Sequence, residues 1–200
     1  PDEPEHKIGV DLIYEYHDLE TEKARVAFVQ YKLWNSRTLP QDDRMEEQLK
    51  KMRTIGCDGL FCSAPNPKPS HNKENFRFPH CAMFLRPTDN LQKRDSRFIS
   101  SGLHIPLCIV KDAWTPNNRG GLSIRRENVA SKSVDHGLFE DLFYRHFLGS
   151  KEVDAAELEK IYRSFSVLDG HETLVIHGQE FKIDPSNRTP KKRKKGKKAG

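Results

Sequence analysis

The sequence predicts an α/β fold: a mixed sheet flanked by helices, followed by a C-terminal helical extension. Three observations carry this expectation. Two runs of strand length, rich in apolar and aromatic residues, lie within about 8–33. A run with apolar residues at three- and four-residue spacing follows at about 41–55, and the same spacing returns after residue 131.

Alternate residues of a strand share a face. Ile8, Val10, Leu12, Tyr14 and Tyr16 therefore form one largely apolar face of the first run, and Gly9, Asp11, Ile13, Glu15 and His17 form the other. In the second run Val26, Phe28, Gln30 and Lys32 share a face, and Ala27, Val29, Tyr31 and Leu33 oppose them. The polar residues 18–23 join the two runs as a hairpin. Antiparallel pairing then brings Asp11 near Gln30 and Lys32, with the register left open.

Met45, Leu49, Met52 and Ile55 mark the helix at about 41–55, and Gly56 is its expected stop. Residues 56–130 read as irregular, with Pro, Asn, Ser and Gly in abundance. Within them the apolar runs 81–85 and 103–110 are expected as strands of the same sheet, and 65–79 and 116–121 as loops. Val134, Leu138, Phe139, Leu142, Phe143 and Phe147 predict one amphipathic helix that ends near Gly149. Asp154 with Glu157 is a capping signature for a second helix. Its apolar face holds Leu158, Ile161, Tyr162, Phe165 and Leu168, and Gly170 ends it. Residues 173–176 and 180–183 read as a short hairpin around Gly178. The expected organisation is a core with a Cys/Pro-rich loop region at 1–130, a helical extension and hairpin at 131–184, and a disordered basic tail at 185–200.

The net charge of +5 does not describe the folded body. Residues 185–200 carry eight Lys or Arg and no acid, which leaves 26 basic against 29 acidic residues, or −3, elsewhere. A polyanion would be held by a local patch and the tail, with steep salt dependence, and not by overall charge. The lysine cluster at 191–198 also resembles a nuclear localisation signal, or serves simply as a solubilising end. Arg86, Lys93, Arg94, Arg97, Arg119, Arg125 and Arg126 are candidate phosphate contacts. No apolar run approaches the ~20 residues that span a bilayer. A soluble intracellular protein is expected, in the cytoplasm or nucleoid, or the nucleus in a eukaryote, without a membrane partner.

Asp11, Gln30 and Lys32 are the residues with chemistry to offer. Mg²⁺ prefers oxygen ligands. Asp11 supplies a carboxylate, and Gln30 a neutral carbonyl oxygen. Lys32 can orient or help deprotonate an attacking water, or stabilise negative charge at phosphorus. The nine histidines form no His-Glu-x-x-His, His-Asn-His or paired pattern. Gly120-Gly121 opens no phosphate-binding loop.

Gly9-Val10-Asp11 followed by Val29-Gln30-Tyr31-Lys32 resembles the PD-(D/E)xK nuclease superfamily, in the Gln-x-Lys variant of Mrr-like restriction enzymes. The resemblance covers roughly residues 5–55. It implies a restriction-endonuclease-like fold with the following helix packed on the sheet. It implies Asp11 as the metal-binding acid, Gln30 in the place usually held by Glu or Asp, and Lys32 as the catalytic lysine. The Tyr31 backbone carbonyl is expected as an added Mg²⁺ ligand. The family carries a further acid on a helix before the Gly-x-Asp strand. Pro1 lies too close to Asp11 for that helix, so the acid is expected from residues before Pro1.

Cys57, Cys62 and Cys81, with His71, His80 or Cys108, could supply four ligands to a structural Zn²⁺. The set Cys57, Cys62, His80 and Cys81 is the first candidate. The competing reading is reduced thiols, since Cys81 and Cys108 lie in apolar runs, with disulfides as the remaining alternative. The leading expectation for function is Mg²⁺-dependent hydrolysis of phosphodiester bonds, in DNA before RNA, in restriction, defence or repair. The alternative is a non-catalytic nuclease-like or zinc-supported module that binds nucleic acid or a protein partner. A homodimer or larger assembly is a further expectation.

Overall fold

A computed structural model describes residues 9–56, 61–62, 81–89, 102–118 and 120–164. Their architecture is α/β: a mixed sheet with helices packed on both faces. Strands β1 (Leu12–Asp18) and β2 (Lys23–Leu33) form the expected antiparallel hairpin, in a register that runs from Leu12 opposite Val29 to Asp18 opposite Lys23. After β3 (Thr38–Pro40) comes α1 (Asp43–Ile55), and the chain returns as β4 (Met83–Thr88), parallel to β2 with Gln30 beside Leu85. Strand β5 (Leu103–Pro106) pairs antiparallel with β4.

Helix α1 has the ends its sequence predicts. The Asp42 carboxylate accepts from the Met45 N–H at 2.7 Å, Asp43 and Glu46 lie in the first turn, Arg53 in the last, and Gly56 caps the end. These charges complement the helix dipole. Met45, Leu49 and Met52 are buried on the sheet against Val26 and Phe28. Each such side chain contributes roughly 1.5–3 kcal/mol when fully buried.

Beyond β5 the structure departs from expectation. The apolar run 103–110 is a strand only to Pro106, after which Leu107–Ala113 forms α2. Pro106 has no N–H for a ladder. Strands β6 (Trp114–Pro116) and β7 (Leu122–Arg125) follow and join β3 in a second sheet, ordered β3-β7-β6. These strands are three and four residues long, too short for alternation to reveal. The predicted loop 116–121 falls between β6 and β7 in the chain, with Pro116 as the last residue of β6.

A short helix α3 (Arg126–Val129) leads to β8 (Val134–Asp135), which pairs with β5. The amphipathic helix expected to reach Gly149 is shorter: α4 spans His136–Tyr144, capped by Asp135, whose carboxylate accepts from the Leu138 N–H. Phe147 lies past its end and is exposed, while Phe139 and Phe143 are buried on the sheet. Strand β9 (Val153–Asp154) pairs with the start of β2, and α5 (Ala155–Ser164) opens with the predicted capping box: Asp154 accepts from Glu157 N–H and Glu157 from Asp154 N–H. Segments after residue 130 thus add two short strands to the core sheet, β8 at its edge beside β5 and β9 beside the start of the interior strand β2. The expected helical residues Phe165 and Leu168, the hairpin around Gly178 and the basic tail lie outside the described residues.

Candidate metal and catalytic site

The rim of the β1–β2 hairpin gathers the predicted residues. Asp11 stands one residue before β1, and its N–H donates to the Val29 carbonyl at 3.0 Å, which carries the ladder one step further and sets Asp11 across from Gln30. Asp11 is exposed, whereas Gln30 is buried. Asp11 Oδ2 accepts from Gln30 Nε2 and from the Tyr31 N–H, both at 2.7 Å. Gln30 Nε2 also donates to the Tyr31 carbonyl at 3.2 Å. The amide nitrogen therefore lies between a carboxylate oxygen and a peptide oxygen. Gln30 Oε1 is buried and has no hydrogen-bond partner among the described residues.

Gly9 explains how the chain reaches this rim. Its φ of +75° is a left-handed conformation, and a Cβ placed there would stand 2.5 Å from the Gln48 carbonyl oxygen of α1. Only glycine suits both demands. The Gly-Val-Asp sequence is thus a close crossing of chain and helix that ends on the acid.

Lys32 continues the Gln30 row, and its Nζ donates to Gln48 Oε1 at 2.6 Å. Gln48 is buried on α1, beside Met45, Leu49 and Met52. It is the site residue that sequence reasoning passed over. Its signal was a polar residue three after Met45 and four before Met52, on the apolar stripe itself.

The Tyr31 side chain leaves the site by the other face of the sheet. Its hydroxyl accepts from Arg86 Nη1 at 2.8 Å, and the Arg86 guanidinium lies over its ring, 5.1 Å from the centroid. Arg86 is buried, so the candidate phosphate contact is a packing residue of the opposite face. Arg126 pairs with Asp89 at 3.4 Å, and Arg125 is exposed. Lys93, Arg94, Arg97 and Arg119 lie outside the described residues, as do Cys57, His71 and His80.

Cys62, Cys81 and Cys108 carry free thiols; Cys81 is buried and Cys108 exposed. Among the described residues no group of three or more His, Cys, Asp and Glu side chains converges as a ready-made metal cage, and no helix is long and apolar enough to cross a membrane. Comparison with family models, curated proteins and solved structures finds no match to this chain.

Proposed function

We propose that this chain is a metal-dependent nuclease of the restriction-endonuclease-like kind, hydrolysing phosphodiester bonds in DNA, with Asp11, Gln30 and Lys32 as its working residues. The observation that carries the reading is the Gln30 amide. A buried acceptor left unmet costs about 1–3 kcal/mol. Gln30 keeps one, while its Nε2 fills the gap between Asp11 Oδ2 and the Tyr31 carbonyl. Rotation of the amide by 180° would turn Oε1 toward that gap. Carboxylate, peptide and amide oxygens would then face one point, a donor set that suits Mg²⁺. Asp11, Gln30 and Tyr31 would hold the ion, which supplies Lewis-acid polarisation of the phosphodiester when bound.

The chain's own residues do the rest. Asp11 places negative charge at the exposed rim, where a cation is favoured. Gln48 holds Lys32 Nζ by one hydrogen bond from a buried position, and so limits where the lysine can point. As an ammonium, Lys32 stabilises charge on the phosphoryl oxygens; as an amine, it takes a proton from the attacking water. The packing of α1 on the face that carries Gln30 and Lys32 supports the reading, since the family resemblance implies a helix there.

The test is cleavage of plasmid DNA with and without Mg²⁺. Lys32→Ala and Asp11→Asn are expected to lower the rate about 100-fold or more, with thermal melts close to those of the unsubstituted chain. Gln48→Leu is expected to lower it about tenfold, because Nζ loses the acceptor that holds it in place. Undiminished cleavage by Lys32→Ala sinks the catalytic assignment. DNA binding without cleavage by the unsubstituted chain points to the non-catalytic module.

A further inference from the structure

The turn from β2 into β3 breaks a local rule. Asn35 and Thr38 face each other as a bridge, each N–H donating to the other's carbonyl, at 2.8 and 2.9 Å. The two residues between them, Ser36 and Arg37, both have positive φ, +47° and +65°. A two-residue turn with positive φ at both centres is ordinarily built from Asn-Gly or Gly-Gly, because residues with a Cβ rarely adopt that conformation. Here the second centre holds an arginine.

Such an outlier persists only where the surrounding structure holds it. The second sheet provides the hold. Thr38 stands opposite Arg125 in the β3–β7 pair, and the Arg126 N–H donates to the Arg37 carbonyl at 3.0 Å. Two segments more than eighty positions apart thus bring the backbones of Arg37, Arg125 and Arg126 together. Leu39 and Ile124 are buried, so alternation turns Arg125 to the opposite side. Arg37 and Arg125 are both exposed. Neither has an ion-pair partner among the described residues, whereas Arg126 is half-buried and pairs with Asp89 at 3.4 Å. The other acid in this stretch, Glu127, follows Arg126 directly and is exposed.

We infer that Arg37 and Arg125 grip the phosphate backbone of a nucleic acid, with Arg126 fixing the spacing between their two segments. This surface belongs to the proposed nuclease site and rests on that reading for the choice of nucleic acid. Its position fits. Arg37 follows Lys32 by five residues, so their Cα atoms lie no more than about 18 Å apart. A strand of duplex DNA carries one charge per about 3.4 Å of axis, so the two side chains fall within about five nucleotide steps. The chemistry fits as well. A guanidinium keeps its charge and presents a planar fork that meets phosphate oxygens in pairs. Asn35 and Ser36, exposed in the same turn, are donors of the kind that contact phosphate and sugar. Glycine would serve the fold better at position 37, so the arginine supplies something other than stability.

The test measures binding of the full chain to a duplex of about 20 base pairs, without Mg²⁺ so that no strand is cut, over a range of salt concentrations. Arg37→Gly should raise Kd about fivefold and lower the salt slope by about 1. It should melt no lower than the unsubstituted chain, because the turn is relieved. Arg125→Gln should weaken binding to a similar degree. Unchanged Kd and slope in both variants overturn the inference. So does an Arg37→Gly chain that melts lower, since the arginine then serves the fold. Poly-glutamate bound as tightly as the duplex, with the same loss in both variants, overturns the choice of nucleic acid in favour of an acidic protein. A chain that binds duplex through these arginines and never cuts it fails the nuclease reading and leaves this surface standing. A chain that cuts, while both variants bind as tightly as before, does the reverse.

Discussion

Strand β2 presents Val26, Phe28, Gln30 and Lys32 to α1, and Ala27, Val29 and Tyr31 to α4. On the α1 side an apolar floor of Phe28, Met45, Leu49 and Met52 gives way at the rim to Gln30, Gln48 and Lys32, beside the exposed Asp11. On the α4 side the packing is aromatic and centred on Phe139. Its ring stacks on His104 at 3.8 Å and meets Phe84 at 5.2 Å and Tyr14 at 5.4 Å edge-on. A buried cation there, Arg86, is met by the Tyr31 hydroxyl and ring. Burial, reinforced by the neighbouring Tyr31, holds the Tyr14 phenol in its neutral form well above the usual tyrosine range. The contrast shows how one strand separates tasks by alternation: one face is spent on aromatic packing, and the other carries its polar groups to the rim beside the exposed Asp11.

Truncating the aromatic hub is the largest expected perturbation. Phe139→Ala should cost about 3–5 kcal/mol, measured by urea denaturation, while cleavage per folded molecule stays within about twofold. A specific loss of cleavage would break the separation of the two faces. Gly9→Ala acts on the other side. The new Cβ must move off the Gln48 carbonyl in a conformation that L residues rarely adopt. A loss of about 1–3 kcal/mol is expected, this time with a fall in cleavage, because Asp11 shifts with the chain. Destabilisation with full cleavage would show that the crossing serves the fold alone.

The smallest effect concerns pH. Burial, then the Arg86 charge, lowers the His104 imidazole from 6.5 to about 2. Below pH 6.5 the unfolded chain binds a proton that the folded chain refuses, so stability is full above pH 6.5 and falls as the pH drops toward 2. Melting temperatures at pH 7.5 and 5.0 should differ less in His104→Leu than in the unsubstituted chain. An unchanged difference would remove His104 as the source of acid sensitivity on the α4 face.

Much of the site was legible in the sequence because its residues are close in the chain. Alternation alone put Gln30 and Lys32 on one face, and the hairpin put Asp11 within reach of Gln30. Arg86 was misread because its exposure depends on β4 lying beside β2, with Tyr31 and Arg86 in register. The second sheet escaped notice for a similar reason: β3, β6 and β7 are short, and the pairing of β3 with β7 joins residues more than eighty positions apart.

By itself, the sequence determined the α/β class, the β1–β2 hairpin, helix α1 with its caps, the capping box of α5, and which side of β2 each candidate residue takes. These follow from periods of 2 and 3.6 and from cap chemistry, which act over a few residues. Tertiary structure alone decided the register that sets Asp11 against Gln30, the orphaned oxygen of Gln30, the Gln48 partner of Lys32, and the second sheet of β3, β7 and β6. Those depend on which segments pack together across long stretches of chain, and no local period encodes that choice.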